Sequence, residues 1–257
     1  MFKLIAGAWR YRFVSQNFVV TTLGNKYKRS FLGYLWSVLL PMARFMILAT
    51  IFAFVFKRTD AEFYRMRFAG MLVFGMITTV ANGAGKAFVG SNSNYIKRIY
   101  VPKLVFVVNV VLMELVNTLL VLVGVVILGL ISGYWFPTWE ALMIVPGFLI
   151  NLVFLLGFTS FVAVTMVWFN DIQYFVELLM QTLYFLTPII FPEESLPPII
   201  LKYNPFFYLV EVIRYPLAKG VIPGWEMYAV AVGTALAMFV LGLGLLNLKQ
   251  DDIIYKI

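Results

Sequence analysis

Long apolar runs, separated by short polar or charged connections, dominate this 257-residue chain. A run of roughly 20 mostly apolar residues is long enough to cross the hydrocarbon core of a bilayer as a helix. The pattern predicts six membrane-spanning helices, at residues 31–56, 68–88, 104–131, 141–169, 174–191 and 225–248. We therefore expect an all-α integral membrane protein whose residues 1–257 form a single transmembrane domain.

The first segment, residues 2–23, has a different pattern. Apolar side chains recur there at spacings of three or four, at Phe2, Ile5, Trp9 and Phe13. Charged and amide side chains fall elsewhere around the helix, which is typical of an amphipathic helix. Beside so many spanning segments, we interpret it as a helix lying in the membrane interface. An ordinary soluble amphipathic helix is the alternative.

Residues 192–224 are rich in proline and yet apolar. Seven of the eleven prolines lie between residues 188 and 223. A spanning helix would not tolerate so many prolines, and an exposed loop would be more polar. Short broken helices that re-enter the outer half of the membrane fit both facts, because irregular backbone at that depth must be buried in protein or line a cavity.

The distribution of lysine and arginine orients the six predicted spans. One side holds six in residues 1–30, four in 86–103 and two in 248–257. The other side holds four in residues 57–67 and three in 192–224. Cytoplasmic connections carry the excess of basic residues. Both termini are therefore predicted to be cytoplasmic, and residues 192–224 external.

Composition narrows the possible functions. Hydrophobic residues make up 62% and charged residues 12% of the chain, against about 45–50% and about 25% in soluble domains. The chain contains no cysteine and no histidine, which excludes thiol chemistry and removes the commonest general base and metal ligand. The net charge of +8 is typical of contact with anionic membrane lipid, and we predict no nucleic-acid partner and no metal site.

The stretch "VANGAGKAF" superficially resembles a phosphate-binding loop. That pattern requires glycine, four residues, Gly-Lys and then serine or threonine. Gly85 and Lys86 match, but Val80 and Ala87 do not. The chain is therefore predicted to bind no ATP and no other cofactor by itself.

Three ionisable residues fall inside predicted spans: Arg44, Glu114 and Glu177. A charge at the bilayer centre costs on the order of 2.5–3.5 kcal/mol on insertion scales. Arg44 and Glu114 lie at similar depths, roughly 15–20 Å from the cytoplasmic surface. We predict a structural ion pair between them, with substrate contact as the alternative. Glu177 is nearer the cytoplasmic end, where it could snorkel or line a vestibule.

Aromatic residues make up 18% of the chain. Interfacial belts and core packing account for most of them. A minority could line a conduit, because an aromatic face combines apolar area with a polar handle. Our candidates for that role are Tyr34, Trp36 and Tyr184.

Residues 91–102 form a short connection on the predicted cytoplasmic side. Asn92 or Ser93 is suited to cap a short helix there, and Pro102 restricts the turn that follows. The helix would have an apolar side flanked by the basic pair Lys97 and Arg98. A short helix resting on the membrane surface is the alternative to a docking element.

Several stretches together resemble a known family. They are "NKYKRSFLGYLWSVLLPM" (25–42), "NYIKRIYVPK" (94–103), "FNDIQYFVELLMQTLYFLTPIIFP" (169–192) and "LPPIILKYNPFFYLVEVIR" (196–214). This set is similar to the membrane (permease) subunit of ABC transporters that export polysaccharides, namely O-antigen, teichoic acid and capsule. One departure is Asn170-Asp171, where the family usually has Arg-Asp.

The resemblance implies a homodimer bound to two copies of a nucleotide-binding ABC subunit, which holds the ATP and magnesium. It implies that residues 91–102 are a coupling helix with contacts at Asn94, Tyr95, Ile96, Lys97 and Arg98. It implies an external gate, within residues 192–224 and the turn before them, containing Pro188, Phe191, Pro192, Asn204 and Pro205. The expected cargo is a lipid-linked polysaccharide, foremost an O-antigen, that passes between protomers in the cytoplasmic membrane.

Three other functions fit the sequence less well. A membrane transferase acting on a polyprenyl lipid is disfavoured, since the paired acids Glu193-Glu194 and Asp251-Asp252 have no accompanying histidine. An ion-coupled transporter is disfavoured by the scarcity of intramembrane carboxylates. A drug-exporting ABC permease usually has a larger external loop than residues 192–224, which favours glycan over drug.

Overall fold

A computed structural model of the chain describes residues 2–26, 31–58, 60–89, 92, 96–97, 101–133 and 138–257. No β-strand occurs in these ranges, as the apolar pattern predicted. The helices are α1 (Phe2–Arg10), α2 (Arg12–Lys26), α3 (Trp36–Phe56), α4 (Ala61–Gly83), α5 (Lys103–Ser132), α6 (Ile144–Trp168), α7 (Ile172–Leu186), α8 (Pro198–Tyr203), α9 (Pro205–Arg214), α10 (Trp225–Lys249) and α11 (Ile253–Lys256).

Five helical segments are long and apolar enough to cross a membrane. They are Gly33–Phe56, Ala61–Ala87, Lys103–Ile131, Trp139–Trp168 and Trp225–Lys249. Five of the six predicted spans are thus confirmed. The second begins at Ala61 and not at residue 68, because the Asp60 side chain caps α4 by accepting a hydrogen bond from the Phe63 amide at 3.0 Å.

The remaining predicted span, residues 174–191, is represented by the shorter helix α7. Its 15 residues extend about 22 Å at 1.5 Å per residue, less than the roughly 30 Å hydrocarbon core. The predicted end at residue 191 is wrong. Thr187 is extended (φ −100°, ψ 134°), because the residue before a proline, here Pro188, avoids the helical conformation.

Residues 192–224 contain the short helices that the prolines predicted. Both α8 and α9 begin with proline, whose fixed φ suits the first helical position. A π-helical turn at Tyr215–Lys219 follows α9 and ends at Gly220 (φ +64°). The broken character of this segment is therefore confirmed.

The N-terminal segment is two helices, α1 and α2, and not the single helix predicted over residues 2–23. The break is at Tyr11. Trp9 and Phe13 remain 69% and 62% exposed, and the Arg12 guanidinium lies 5.2 Å and 4.9 Å from their ring centroids. The rest of the described chain thus leaves this aromatic pair uncovered. The side chains of Phe2 and Ile5 lie outside the described residues.

The core of the described chain surrounds α9. Its largest fully buried side chains include Phe74 and Ile77 of α4, Leu155 of α6, and Leu209 and Ile213 of α9. The buried Asn151 on α6 donates to the Leu209 carbonyl of α9 at 2.8 Å. A short helix of the proline-rich segment is therefore held deep within the bundle.

Helices α6 and α10 cross with almost no space between their backbones. A Cβ atom added to Gly242 would collide with the Gly157 carbonyl oxygen, and one added to Gly157 would collide with the backbone of Met238. Small residues at such crossings let membrane helices approach closely.

We expect Gly242→Ala to lower the free energy of unfolding in mixed micelles by about 1–3 kcal/mol, the usual cost of overpacking. Gly244→Ala is the matched control, since nothing lies within 4 Å of an added Cβ at Gly244. The control should be neutral or slightly stabilising, because alanine favours helix over glycine. Equal stability of the two variants in a denaturant titration would contradict the close crossing.

Candidate functional site

A buried charged network lies at the end of α9. The side chains of Arg214 and Glu211 are 1% and 0% exposed and form an ion pair, with Arg214 Nε donating to Glu211 Oε2 at 2.9 Å. Arg214 Nη2 pairs with Glu193 Oε1 at 2.9 Å, and Nη1 donates to the Pro188 carbonyl. One guanidinium therefore ties α9 to the segment that follows α7.

Tyr215 extends this network. Its hydroxyl donates to Glu193 Oε2 at 2.8 Å. Burial raises the pKa of Tyr215, and the carboxylates of Glu211 and Glu193 raise it further. The phenol therefore stays protonated and acts as a hydrogen-bond donor to Glu193.

Asn204 joins the end of α7 to the start of α9. Its buried side chain donates to Thr187 Oγ1 at 2.9 Å and to the Leu186 carbonyl at 3.2 Å. Its Oδ1 accepts from the Phe206 amide at 3.0 Å, which caps α9 immediately before Pro205. This one side chain therefore links the C-terminal end of α7 to the N-terminal end of α9.

Phe191 and its neighbours form an aromatic cluster between the same segment and α3. The Phe191 ring lies edge-on to Phe52 and Phe56, with centroid distances of 6.0 Å and 6.1 Å. Such edge-to-face pairs contribute about 0.5–1.5 kcal/mol beyond area burial. The segment between α7 and α8 is thus packed against the outer end of the first span.

A cavity of about 120 Å³, which we call the outer cavity after the predicted external gate, is lined by two of the predicted gate residues, Pro188 and Pro192, and not by Phe191, Asn204 or Pro205. Its lining residues are Arg58, Glu62, Phe63, Met66, Arg67, Pro188, Pro192, Glu193, Glu194, Arg214 and Lys219. Sequence reasoning missed Glu211, Arg214 and Arg67 as buried charges. The available signal was the acid and base three residues apart in the apolar stretch "VEVIR", since such spacing places them on one helix face.

Helix α7 carries a polar face that the rest of the described chain does not cover. Gln173, Glu177 and Gln181 are exposed and recur every four residues, which places them on one side of the helix. Tyr174 is 71% exposed beside them, and the half-buried Tyr184 stands at the edge of the same face. A polar stripe on a membrane helix is expected to face a cavity or another protein surface rather than lipid.

Arg44 and Glu114 do not form the predicted ion pair among the side chains that the structure describes. Asn117 Nδ2 donates to Glu114 Oε2 at 3.3 Å, and the Tyr34 hydroxyl donates to Asn117 Oδ1. Arg44 is exposed on α3, within electrostatic range of Tyr184. Equal predicted depth is not sufficient for an ion pair, because the rotation of a helix about its axis is set by packing.

The remaining conduit candidates occupy different environments. Tyr34 belongs to the short turn Gly33–Leu35 and to the Asn117 network. Trp36 is 36% exposed. Tyr184 lies 5.6 Å from Phe74, ring to ring. The structure brings Tyr184 near Arg44 and does not bring all three aromatic residues together.

The predicted coupling segment is anchored at Asn92 and Ile96. The Asn92 side chain donates to the Lys86 carbonyl at 2.7 Å, so it ties the segment back to the end of α4. Ile96 is 3% exposed and packs in a cluster with Phe88, whereas Lys97 is exposed. Asn94, Tyr95 and Arg98 lie outside the described residues.

The class of the chain is a polytopic helical membrane protein of the transport type. Its defining features are helices of spanning length, a buried charged network at one end and a polar helix face. The particular family follows from comparison with known proteins. The chain belongs to the ABC-2 type transporter family, whose model matches residues 17–217.

Three curated relatives show what the chain is similar to. It is 29% identical over 215 residues to the O-antigen export system permease protein RfbA of Myxococcus xanthus, with 82% of each chain covered. It is 26% identical over 229 residues to the polysialic acid transport protein KpsM of Escherichia coli, covering 86% of this chain and 87% of the relative. It is 25% identical over 230 residues to RfbA of Klebsiella pneumoniae, with 86% of each covered.

Proposed function

We propose that the chain is the permease subunit of an ATP-driven exporter that moves a lipid-linked polysaccharide, specifically an O-antigen, across the cytoplasmic membrane. Family membership and the functions for which the relatives are named support this proposal. The observation that carries it is the exposed face of α7 with Gln173, Glu177 and Gln181. Amides and phenols bind sugar hydroxyls weakly, and weak sites let a polymer keep moving.

The proposed exporter is a homodimer, in which the polar face of α7 has a defined place. In the proposed dimer the polar faces of two α7 helices line a conduit between protomers. The exposed apolar side chains of α3, including Ile47 and Phe54 at 59% and 76%, provide surface for lipid or for the partner. Arg44 then lies near the conduit wall and not in a structural ion pair.

In this proposal α7 is the sixth span, and the helices α8 and α9 complete its path through the membrane. At about 22 Å it falls roughly 8 Å short of an average bilayer core. The helices α8 and α9, attached through Asn204, re-enter the outer half of the membrane and close that distance. Polar backbone at this depth is tolerated since α9 is buried in the bundle.

Force enters from the cytoplasmic side, where the proposal places both termini. Two nucleotide-binding ABC subunits carry ATP and magnesium, and each contacts residues 91–102 of one permease, which has no ATP-binding motif of its own. Ile96 packs in one cluster with Phe88 and with Leu104 of α5. Pressure on this segment therefore acts on the cytoplasmic ends of α4 and α5.

A charge reversal tests the coupling. We expect Lys97→Glu to weaken co-purification of an ABC ATPase and to lower export-linked ATP hydrolysis, because Lys97 is the exposed cation described in this segment. Lys256→Glu, also exposed and near the predicted cytoplasmic C-terminus, should retain both. Equal behaviour of the two variants, or transport by the purified chain without an ATPase, would refute the proposal. Deletion of the gene should cause the cognate glycan to accumulate inside the cell.

A further inference from the structure

Four cations line the outer cavity, and three of them are paired with a carboxylate or exposed to solvent. Arg58 pairs with Asp60 at 3.4 Å, and both side chains are about half exposed. Arg214 is held by Glu193 and Glu211. Lys219 is exposed, with its ammonium 4.3 Å from the Tyr215 ring centroid.

Arg67 is the exception. Only 5% of its surface is exposed, and its Nε has no hydrogen-bond partner. No described carboxylate lies within ion-pair distance of its guanidinium. Its neighbour is the face of Phe63, at 4.3 Å from the ring centroid. A cation–π contact replaces only part of the hydration that a buried guanidinium loses.

The carboxylates around the cavity are engaged elsewhere or point to solvent. Glu193 is bound by Arg214 and Tyr215. Glu62 and Glu194 line the cavity but are exposed. Arg58 and Arg214, and also the carboxylates of Glu193 and Glu194, lie within electrostatic range of Arg67. The four cations of the lining outnumber its three carboxylates, so the cavity keeps a net positive charge.

We propose that the outer cavity is a phosphate-binding site in which Arg67 is the principal ligand residue. Arginine presents a planar fork of donors that matches phosphate oxygens and binds them in pairs. The volume of about 120 Å³ equals roughly four waters at about 30 Å³ each, which accommodates one phosphate group. That group is either the headgroup of an outer-leaflet lipid or a free phosphate.

The first test uses the full chain purified in detergent. Sodium phosphate replaces sodium chloride at constant ionic strength, and the unfolding temperature is measured. A ligand that binds only the folded state raises this temperature. We expect the rise in the wild type, with apparent affinity weakened by about tenfold or more in Arg67→Gln, as for loss of a charged hydrogen bond.

Arg65→Gln is the matched control. Arg65 lies on the same helix and also has a buried Nε without a partner, but it does not line the cavity. It should respond to phosphate as the wild type does. Arg67→Lys keeps the charge without the fork and should bind with intermediate affinity, which covers the case in which Arg67→Gln does not fold.

A second arm distinguishes the two sources of phosphate. The chain is placed in nanodiscs of a phosphate-free galactolipid containing a small fraction of phosphatidylglycerol, and retained lipid is counted by native mass spectrometry. Retention in the wild type that is lost in Arg67→Gln identifies a lipid headgroup. A response to free phosphate without lipid retention identifies a soluble group. Absence of both, or equal loss in Arg65→Gln, overturns the site; neither arm contains an ATPase or a glycan, so the result is independent of transport.

Discussion

We expect Arg214→Ala to lower the free energy of unfolding by about 3–5 kcal/mol, the usual cost of removing one member of a buried ion pair. Glu211 would remain fully buried with its carboxylate unpaired. The Pro188 carbonyl and Glu193 would lose the same donor. Unfolding in mixed micelles, followed by denaturant titration, measures the loss.

The double variant Arg214→Met with Glu211→Leu separates stability from gating. Apolar residues of similar volume often replace a buried ion pair without loss of stability, so we expect most of the stability to return. Export should stay low, because Arg214 no longer holds Glu193 and the Pro188 carbonyl to α9, and only the Tyr215 hydroxyl still binds Glu193. A double variant as unstable as Arg214→Ala, or one that exports normally, would contradict the assignment.

Covalent blocking of the α7 face should abolish export. The chain contains no cysteine, so a single Gln181→Cys substitution gives one reactive thiol without background. We expect the unlabelled variant to export and a bulky, charged maleimide to stop it, since the adduct would fill a conduit shared by two protomers. Surface glycan before and after labelling is the measurement.

Met180→Cys is the control for accessibility. Met180 is next to Gln181 in the chain but only 1% exposed, so its thiol should not react with a charged reagent. Normal export after complete labelling at residue 181 would exclude α7 from the conduit wall, and labelling at residue 180 would show that α7 is rotated from its position in the structure.

Gln181 and Arg214 belong to α7 and α9, two helices that are joined to each other by side-chain contacts. The middle of α7 bears the polar face, and its C-terminal end is bound by Asn204, which caps α9. Arg214 holds the far end of α9 to the turn after α7. Under the proposed function, a tilt of α7 would change the conduit and the outer closure together, and loss of either attachment would uncouple them.

The length of the apolar runs predicted five spans, but the predicted start of the second span was wrong. The charges Arg65 and Arg67 placed the predicted start of the second span at residue 68, whereas α4 begins at Ala61. Hydropathy counts a charge as a cost wherever it stands. In the fold, Arg67 stacks on Phe63 and faces a cavity, so the helix continues past it.

The charged pair predicted from the sequence also differs from the pair that the structure contains. Depth arguments from the sequence favoured Arg44 with Glu114, but Glu114 accepts from Asn117 and Arg44 is exposed on α3. The buried pair that does form is Arg214 with Glu211, only three residues apart. Sequence distance predicts neighbours along one helix, while contact between helices depends on how each is rotated.

The amino-acid sequence alone determined the helical class, five of the long spans, the broken character of residues 192–224 and the family, because hydrophobic run length and proline act locally. Only the tertiary structure decided that Arg214 ties α9 to the preceding turn, and that Arg67 has no acidic partner among the described residues. Those features depend on packing between segments distant in the chain. Which polar groups meet is set by the rotation of each helix about its axis. In an almost uniformly apolar chain, the residue pattern constrains that rotation only weakly.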